Sequence, residues 1–236
     1  LYSNVRGGVK VGGPLTTLTA VDYQRNNAGQ ILIDPSTGYP IKNPNFVIAG
    51  DRNPDFVLGF QNTFKYKNLS LSMLLDIRKG GDIYNATEFW MYQNGISTRT
   101  LDREQPRVVQ GVIRDGLENT ATPTQNNIAV TPYLQNEYYR SGSVDADFIE
   151  KDVNWLRMRD ITLSYRMLSE TLKKTAIKSL SFNITMTDAF MITNYTGADP
   201  AVNGLNASAG GAGGVGFDFG TVSTPRGLNL GMKLGF

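Results

Sequence analysis

Hydrophobic and polar residues alternate with period two over five stretches of the chain, and this alternation is its clearest pattern. From Phe56 to Tyr66 one set of positions reads Phe56, Leu58, Phe60, Asn62, Phe64, Tyr66, and the other reads Val57, Gly59, Gln61, Thr63, Lys65. Lys67-Asn68 follows, short enough for a hairpin turn, and Asn tolerates positive φ. The next run, Leu69 to Arg78, sets Leu69, Leu71, Met73, Leu75, Ile77 against Ser70, Ser72, Leu74, Asp76, Arg78. A third run covers Trp155 to Arg166. Its second half alternates Ile161, Leu163, Tyr165 with Asp160, Thr162, Ser164, Arg166, but its first half is in the opposite phase, with Arg157 and Arg159 beside Leu156 and Met158. A β-bulge near Arg159-Asp160, or a strand end outside the apolar layer, reconciles the halves. The fourth run sets Leu180, Phe182, Ile184, Met186 against Ser181, Asn183, Thr185, Thr187. The fifth sets Leu228, Leu230, Met232, Leu234, Phe236 against Asn229, Gly231, Lys233, Gly235. Strands are predicted near residues 56–66, 69–78, 155–166, 179–189 and 225–236. Two further candidates lie at Leu1–Val11 and Gln30–Ile33.

Alternation alone does not separate a soluble sandwich from a membrane barrel. Three details favour the barrel. Runs of about 10 residues suit a tilted strand crossing a bilayer, whereas globular strands average about 5–6. The polar faces are mostly Ser, Thr, Asn, Gly and Gln, which a wet lumen accepts. Aromatic residues stand near run ends (Phe56, Tyr66, Trp155, Tyr165, Phe236), where interfacial girdles lie. Short links at Lys67-Asn68 and Met167–Ser179, the latter with a helical turn around Glu170–Thr175, contrast with long loops at residues 79–154 and 188–223. Short turns at one end and long extracellular loops at the other are the layout of an outer-membrane barrel. The expected fold is therefore all-β: an antiparallel transmembrane β-barrel sector. The smallest membrane barrels need about 8 strands, and an open sheet edge in lipid leaves backbone groups unpaired. Residues 1–236 are thus expected to be the C-terminal part of a larger barrel. The alternative is a soluble or surface β-sandwich that binds glycans, with Trp90 and Tyr92 sharing one face of a strand.

Composition narrows the chemistry. Among 236 residues there is neither Cys nor His. This removes disulfides, thiol nucleophiles, a Ser-His-Asp triad and an HExxH zinc site. A net charge of +2 argues against nucleic acid as a partner. No 18-residue apolar run and no signal-peptide segment at Leu1 appear. The 21 Asp and Glu residues include no pair that the sequence fixes in a dry cleft, so no catalytic residue, cofactor or metal is assigned. Asp145, Asp147, Glu150 and Asp152 read as a solvated acidic loop rather than a Ca²⁺ site, since Lys151 interrupts them and no DxDxDG pattern is present. Asp51 and Asp55 read as turn residues. The Gly-rich stretch Asn203–Gly220 lacks GxxxxGK[ST] and reads as a mobile loop.

Several stretches together resemble the C-terminal barrel of SusC/RagA-type TonB-dependent transporters. They are Gly50-Asp51-Arg52-Asn53-Pro54-Asp55-Phe56, Gly59 to Ser72, Lys79-Gly80-Gly81-Asp82-Ile83-Tyr84-Asn85, Trp155 to Tyr165 (similar to the family's YLRLRNITLSY), and Tyr195-Thr196-Gly197-Ala198-Asp199-Pro200. The tail Asn229–Phe236 fits a terminal insertion signal that ends in Phe. The resemblance covers roughly residues 45–236. It implies the last quarter of a 22-stranded barrel, an N-terminal plug outside this chain, the TonB complex as energy source through that missing part, and a SusD-like lipoprotein lid. It implies import of oligosaccharides, or of peptides in some members, across a Bacteroidetes outer membrane. A passive porin would share the barrel and lack plug and lid. Tyr84, Phe89, Trp90, Tyr92, Tyr138 and Tyr139 are the candidate contacts to cargo or lid, since Tyr and Trp suit both, with loop packing as the alternative. Asn229, Gly231, Leu234 and Phe236 are the candidate signal to the barrel-assembly machinery, whose reading is β-augmentation of an edge strand. Outer-membrane lipid and the rest of the barrel complete the expected partners.

Overall fold

The structure, a computed structural model, describes residues 5–8, 11–134, 137–167, 169–173, 176–201, 203–204 and 214–236. The chain divides into two compact units. One comprises Leu1–Asn53, Asp82–Lys151 and Ala201–Thr221, and the other Pro54–Gly81, Asp152–Pro200 and Val222–Phe236. Among the described residues no helix is long and apolar enough to cross a membrane.

The second unit is an antiparallel sheet of five long strands: β1 (Phe56–Tyr66), β2 (Leu69–Lys79), β3 (Trp155–Arg166), β4 (Ser179–Thr193) and β5 (Gly227–Gly235). Their spatial order is β5-β4-β3-β2-β1. The β1–β2 hairpin turns at Lys67-Asn68, with Tyr66 opposite Leu69. Positive φ falls on Lys67 (49°), not on Asn68. The Asn68 side chain is used otherwise, donating from Nδ2 to the Arg166 carbonyl at 2.6 Å and so stitching this turn to the end of β3. A helical turn, Ser169–Leu172, lies in the link from β3 to β4; residues 174–175 of the expected turn lie outside the described residues.

The phase conflict in β3 is a β-bulge. Its register against both β2 and β4 shifts between Met158 and Asp160. Asp188 on β4 takes φ 47° at the same level. Pairing resumes beyond it and carries β4 to Thr193, opposite Trp155, past the expected end near residue 189. The alternation in β4 breaks at Thr187-Asp188, which is why the sequence pattern stops short.

The first unit is built of short pieces. Thr17–Ala20 pairs with Arg6–Gly8 and Val47–Asp51. Of the candidate strand at Leu1–Val11, only Arg6–Gly8 is a strand, and residues 1–4, 9 and 10 lie outside the described residues. The candidate at Gln30–Ile33 reduces to Leu32–Ile33, parallel to Val112–Ile113. Ile83–Asn85 pairs with Ile149–Glu150 and Phe217–Asp218. The core holds Val5, Leu18, Ala20, Tyr84, Ala86, Phe89, Phe148, Ile149 and Phe217.

Residues 79–154 are therefore not a structureless loop. They contain an α-helix, α1 (Ala86–Gln93), begun by the Asn85 side chain, which accepts from the Glu88 N–H at 2.9 Å. Trp90 and Tyr92 lie on this helix. The strand face expected to carry them together does not exist, because residues two apart diverge around a helix.

Candidate functional site

The five-stranded sheet has two chemically distinct faces. Its apolar face is made of cross-strand rows that the pairing register defines: Tyr66–Leu69–Tyr165–Phe182–Met232, then Phe64–Leu71–Leu163–Ile184–Leu230, then Asn62–Met73–Ile161–Met186–Leu228. Past the bulge the rows continue as Phe60–Leu75–Met158–Phe190 and Leu58–Ile77–Leu156–Ile192. Most of these side chains are solvent-exposed, Leu230 by 74% and Tyr66 by 70%. An apolar surface of this extent far exceeds the patches that soluble monomers leave open. The row nearest the hairpin turn carries three aromatic residues, Tyr66, Tyr165 and Phe182.

The opposite face is small and polar. Thr63 donates to Ser72 at 3.1 Å, and Thr162 and Thr185 hydroxyls lie 2.9 Å apart. On β5 this face is Gly227, Asn229, Gly231, Lys233 and Gly235. The glycines recur every four residues and leave room for polar side chains of β4: a Cβ on Gly231 would stand 2.5 Å from Asn183 Oδ1. Among the expected assembly residues, Leu234 and Phe236 lie on the apolar side of the alternation and are exposed, and Asn229 and Gly231 lie on the polar side.

The bulge keeps both faces consistent. It flips the parity of β3, so that Leu156 and Met158 join the apolar face while Arg157 and Trp155 join the polar one. Trp155 is therefore not a girdle residue. It is buried beneath Arg78, whose guanidinium carbon lies 4.9 Å from the ring centroid. Arg157 is buried and pairs with Asp199 and with Asp188, whose Oδ1 is 3.3 Å from Nε. Arg159 binds Asp76 at 2.7 Å and lies 3.9 Å from Asp188. Asp199 also accepts from the Thr224 N–H and hydroxyl, both at 3.3 Å. Alternating charges thus close the bulge and tie the segments after β4 and before β5 to it. The sequence signal for this network was the phase conflict itself.

The aromatic candidates belong to the other unit. Tyr84 is fully buried, and its hydroxyl donates to Asp145 Oδ1 at 3.0 Å. Phe89 is buried against Tyr84 and Phe148, and Tyr138 is buried against Tyr39 and Tyr139. These three pack the interior and offer no surface to a ligand. Tyr92 and Tyr139 are half-buried and meet edge to face at 4.9 Å. Burial pushes the Tyr92 hydroxyl up to about 12. Trp90 alone of the six is exposed. Arg99, which sequence reasoning missed, stacks its guanidinium 5.0 Å from the Tyr92 ring and 4.7 Å from Phe148.

The acidic group is solvated only in part: Asp147 and Asp152 are exposed, while Asp145 and Glu150 are drawn into the fold. Asp145 is buried under Tyr84, Glu150 accepts from Asn85, and Asp152 pairs with Lys79 at 2.8 Å. Asp147 accepts from the Tyr23 hydroxyl at 2.5 Å. Burial raises both members of this pair from their ordinary values, against the Tyr23 hydrogen bond, which lowers the carboxyl. Among the described residues no group of acidic side chains could hold a metal ion. Asp51 is a turn residue, accepting from the Asn53 N–H at 3.0 Å and from Thr16. Residues 205–213 of the Gly-rich stretch lie outside the described residues.

No family model matches the chain. It is 25% identical, over 97% of its length, to TonB-dependent receptor P3 of Formosa agariphila, and 26% identical over 80% to TonB-dependent receptor P26 of the same organism. The chain spans about a fifth of the length of these relatives (21% and 18%). Among solved structures it is similar to the RagAB peptide importer in its open-open state (TM-score 0.57, 17% identity, 94% of this chain and 23% of that one) and in its closed-closed state (TM-score 0.54, 14% identity, 93% and 24%). Sequence and fold point the same way: over nearly its whole length the chain is similar in sequence to TonB-dependent receptors, which are outer-membrane proteins, and in fold to part of a RagAB importer chain.

Proposed function

We propose that the chain is a sector of the barrel of a TonB-dependent outer-membrane importer. The observation that carries the reading is the exposed apolar face, continuous over five strands and backed by a face of small polar groups. Lipid suits the first and a wet lumen the second. The strands β1 and β5 end the sheet, and further strands of the same protein close it into a barrel, 22-stranded by family resemblance. The plug and the segment that engages TonB belong to the rest of that protein. The cargo is an oligomeric nutrient, oligosaccharide or peptide, admitted under a SusD-like lipoprotein lid; the likeness to a peptide importer supports the second cargo class. Trp90, exposed, is the residue we assign to cargo or lid, and the half-buried Tyr92–Tyr139 pair is kept as a secondary candidate. Asn229, Gly231, Leu234 and Phe236 serve barrel assembly through β5.

The soluble sandwich is the weaker reading. Its glycan face was to be Trp90 and Tyr92 on one strand, and they lie on a helix. The deciding experiment is composition analysis of the detergent-extracted native particle. The importer reading expects this sequence within a polypeptide of roughly four to five times its length, with a plug and a co-purifying lipoprotein. A 25.9 kDa species that stays monomeric without detergent would overturn it. Growth of a deletion strain on defined oligosaccharides or peptides as sole source then separates the two cargo classes.

A further inference from the structure

The polar face of the sheet carries its charge unevenly. At the level of the bulge the cations meet carboxylates: Arg157 pairs with Asp188 and Asp199, and Arg159 with Asp76. Toward the hairpin turn the face is cationic only. Lys65 lies on it in the row Lys65–Ser70–Ser164–Asn183–Gly231, and the next row, Arg166–Ser181–Lys233, adds two more cations. Residues 61–75, 161–167, 178–187 and 227–236 contain no Asp or Glu. Neighbouring strands lie about 4.8 Å apart, so Lys65, Arg166 and Lys233 succeed one another at about 10 Å intervals across the wall.

Lys65 and Arg166 border a hollow of about 430 Å³, together with Ser70 and Ser179 of the same face. Lys67, from the β1–β2 turn, and Lys178, from the residue before β4, add two further charges to its lining. All four cationic residues are exposed, and none forms an ion pair among the described residues. Like charges around one hollow repel one another, and an anion relieves that repulsion. The volume falls within the range of small-molecule sites, and hydroxyls beside cations suit a carboxylate, whose hydrogen bonds to such donors are charge-assisted. The bulge shows that this sheet draws carboxylates from its own strands, and from the segment after β4, where a cation is neutralised permanently. The turn end is left without them, open and of ligand size.

Short turns mark the periplasmic end of an outer-membrane barrel. With the polar face toward the lumen, the hollow stands at the exit of the import path. Rings of Lys and Arg in a wet pore select anions, and lumenal side chains tune the selectivity of barrels. We propose that this hollow is an exit-side subsite for anionic cargo, holding a carboxylate carried by the imported oligomer, whether an acidic peptide or a uronate-bearing oligosaccharide. The proposal rests on the importer reading above and narrows its cargo to chains that carry acidic groups.

The test uses the full-length protein in neutral detergent, titrated calorimetrically with hexaglutamate or hexagalacturonate and with their neutral counterparts, hexaglutamine and maltohexaose. At least one anionic probe is expected to bind about tenfold more tightly than its neutral counterpart, and the one that does names the source of the carboxylate. Reductive methylation with peptide mapping locates the site: the bound probe slows modification of Lys65 and Lys178. The variant Lys65→Gln/Arg166→Gln/Lys178→Gln is expected to weaken that probe's binding about tenfold, roughly twofold for each exposed charge pair lost, and Lys65→Arg/Lys178→Arg to keep it. Heat-modifiable gel mobility checks that both variants are folded. Equal affinity for anionic and neutral probes, or an unchanged triple variant, overturns the proposal. So does a carbodiimide cross-link, formed without any probe, that joins Lys65 or Lys178 to an Asp or Glu elsewhere in the full-length protein, which would make the occupant one of its own segments. A protein monodisperse without detergent refutes the membrane reading, whereas a detergent-bound protein whose hollow is indifferent to probe charge refutes this proposal alone.

Discussion

The membrane reading makes a prediction that depends on strand parity and depth at once. Met186 lies on β4 four residues from the aromatic row at Phe182, flanked by Ile161 and Leu228. Four residues at about 3.3 Å, tilted about 40°, rise about 10 Å, close to half of an apolar band about 25 Å tall. Met186 therefore sits near the bilayer mid-plane, and its side chain points outward. Met186→Arg is expected to cost about 2–4 kcal/mol, the range for a cation facing lipid at that depth. Leu180→Arg, on the same face but beyond the aromatic row toward the turn, is expected to cost at most about 1 kcal/mol. Thr185→Arg, one residue from Met186 but on the polar face, forfeits only the 2.9 Å contact with Thr162, about 1 kcal/mol. The assay is the urea dependence of folding of the full-length protein into lipid bilayers, read by gel mobility. A sandwich core would penalise Leu180 and Met186 alike, and a water-facing surface would penalise neither. Either outcome refutes the assignment of the apolar face to lipid.

Three further outcomes follow from the packing. Removing one partner of a buried ion pair typically costs about 3–5 kcal/mol; because Asp188 still faces Arg157, Asp199→Ala should fall at the lower end, near 3 kcal/mol, and hydrogen exchange at the Thr224 amide should accelerate, while Arg157→Met with Asp199→Leu should recover most of the loss. Gly231→Val drives a side chain into Asn183 and should cost about 1–3 kcal/mol, relieved by Asn183→Ala in the same chain. The Asp147 carboxyl is raised by burial, so its contribution to stability is fully present below the ordinary Asp range and is lost as pH rises through its folded value. Asp147→Asn keeps an acceptor for Tyr23 and removes this dependence. Its stability advantage over the wild type should grow from pH 4 upward and then level off in thermal unfolding; an advantage that shrinks with pH would show the sign to be wrong.

The long strands were legible because a sheet with one apolar face imposes period two on every residue it contains. Phe56–Tyr66 and Leu69–Arg78 obey it apart from Val57, Asn62 and Leu74, and the structure pairs the two strands in full register. The first unit was illegible for the opposite reason. Its strands are two to five residues long, too short to establish a period, and its core is assembled from pieces as distant as Val5, Phe148 and Phe217. The aromatic residues in residues 79–154 were visible as residues but not as surfaces. Composition shows that Tyr84, Phe89 and Trp90 are present, and only the fold decides that two are interior and one is exposed.

The bulge lies between these extremes and shows what a broken pattern is worth. Without it, the parity of Ile161, Leu163 and Tyr165 would carry Arg157 and Arg159 onto the apolar face. By the same depth arithmetic Arg159, about 15 Å from the aromatic row, would cost about 2–4 kcal/mol facing lipid, and Arg157, about 20 Å from it and nearer the far interface, less. One extra residue at Arg159, matched by Asp188 at φ 47°, turns Arg157 to the polar face and supplies a carboxylate where it lands. A non-glycine residue held at positive φ itself costs on the order of 1 kcal/mol, so the strain is smaller than the penalty it avoids. The same flip withdraws Trp155 from the aromatic row and places it under Arg78. The interruption in the alternation was thus the most informative part of the third run: it marked the one level of the sheet where charge had to be brought inside, and the three carboxylates of Asp76, Asp188 and Asp199 converge there to receive it.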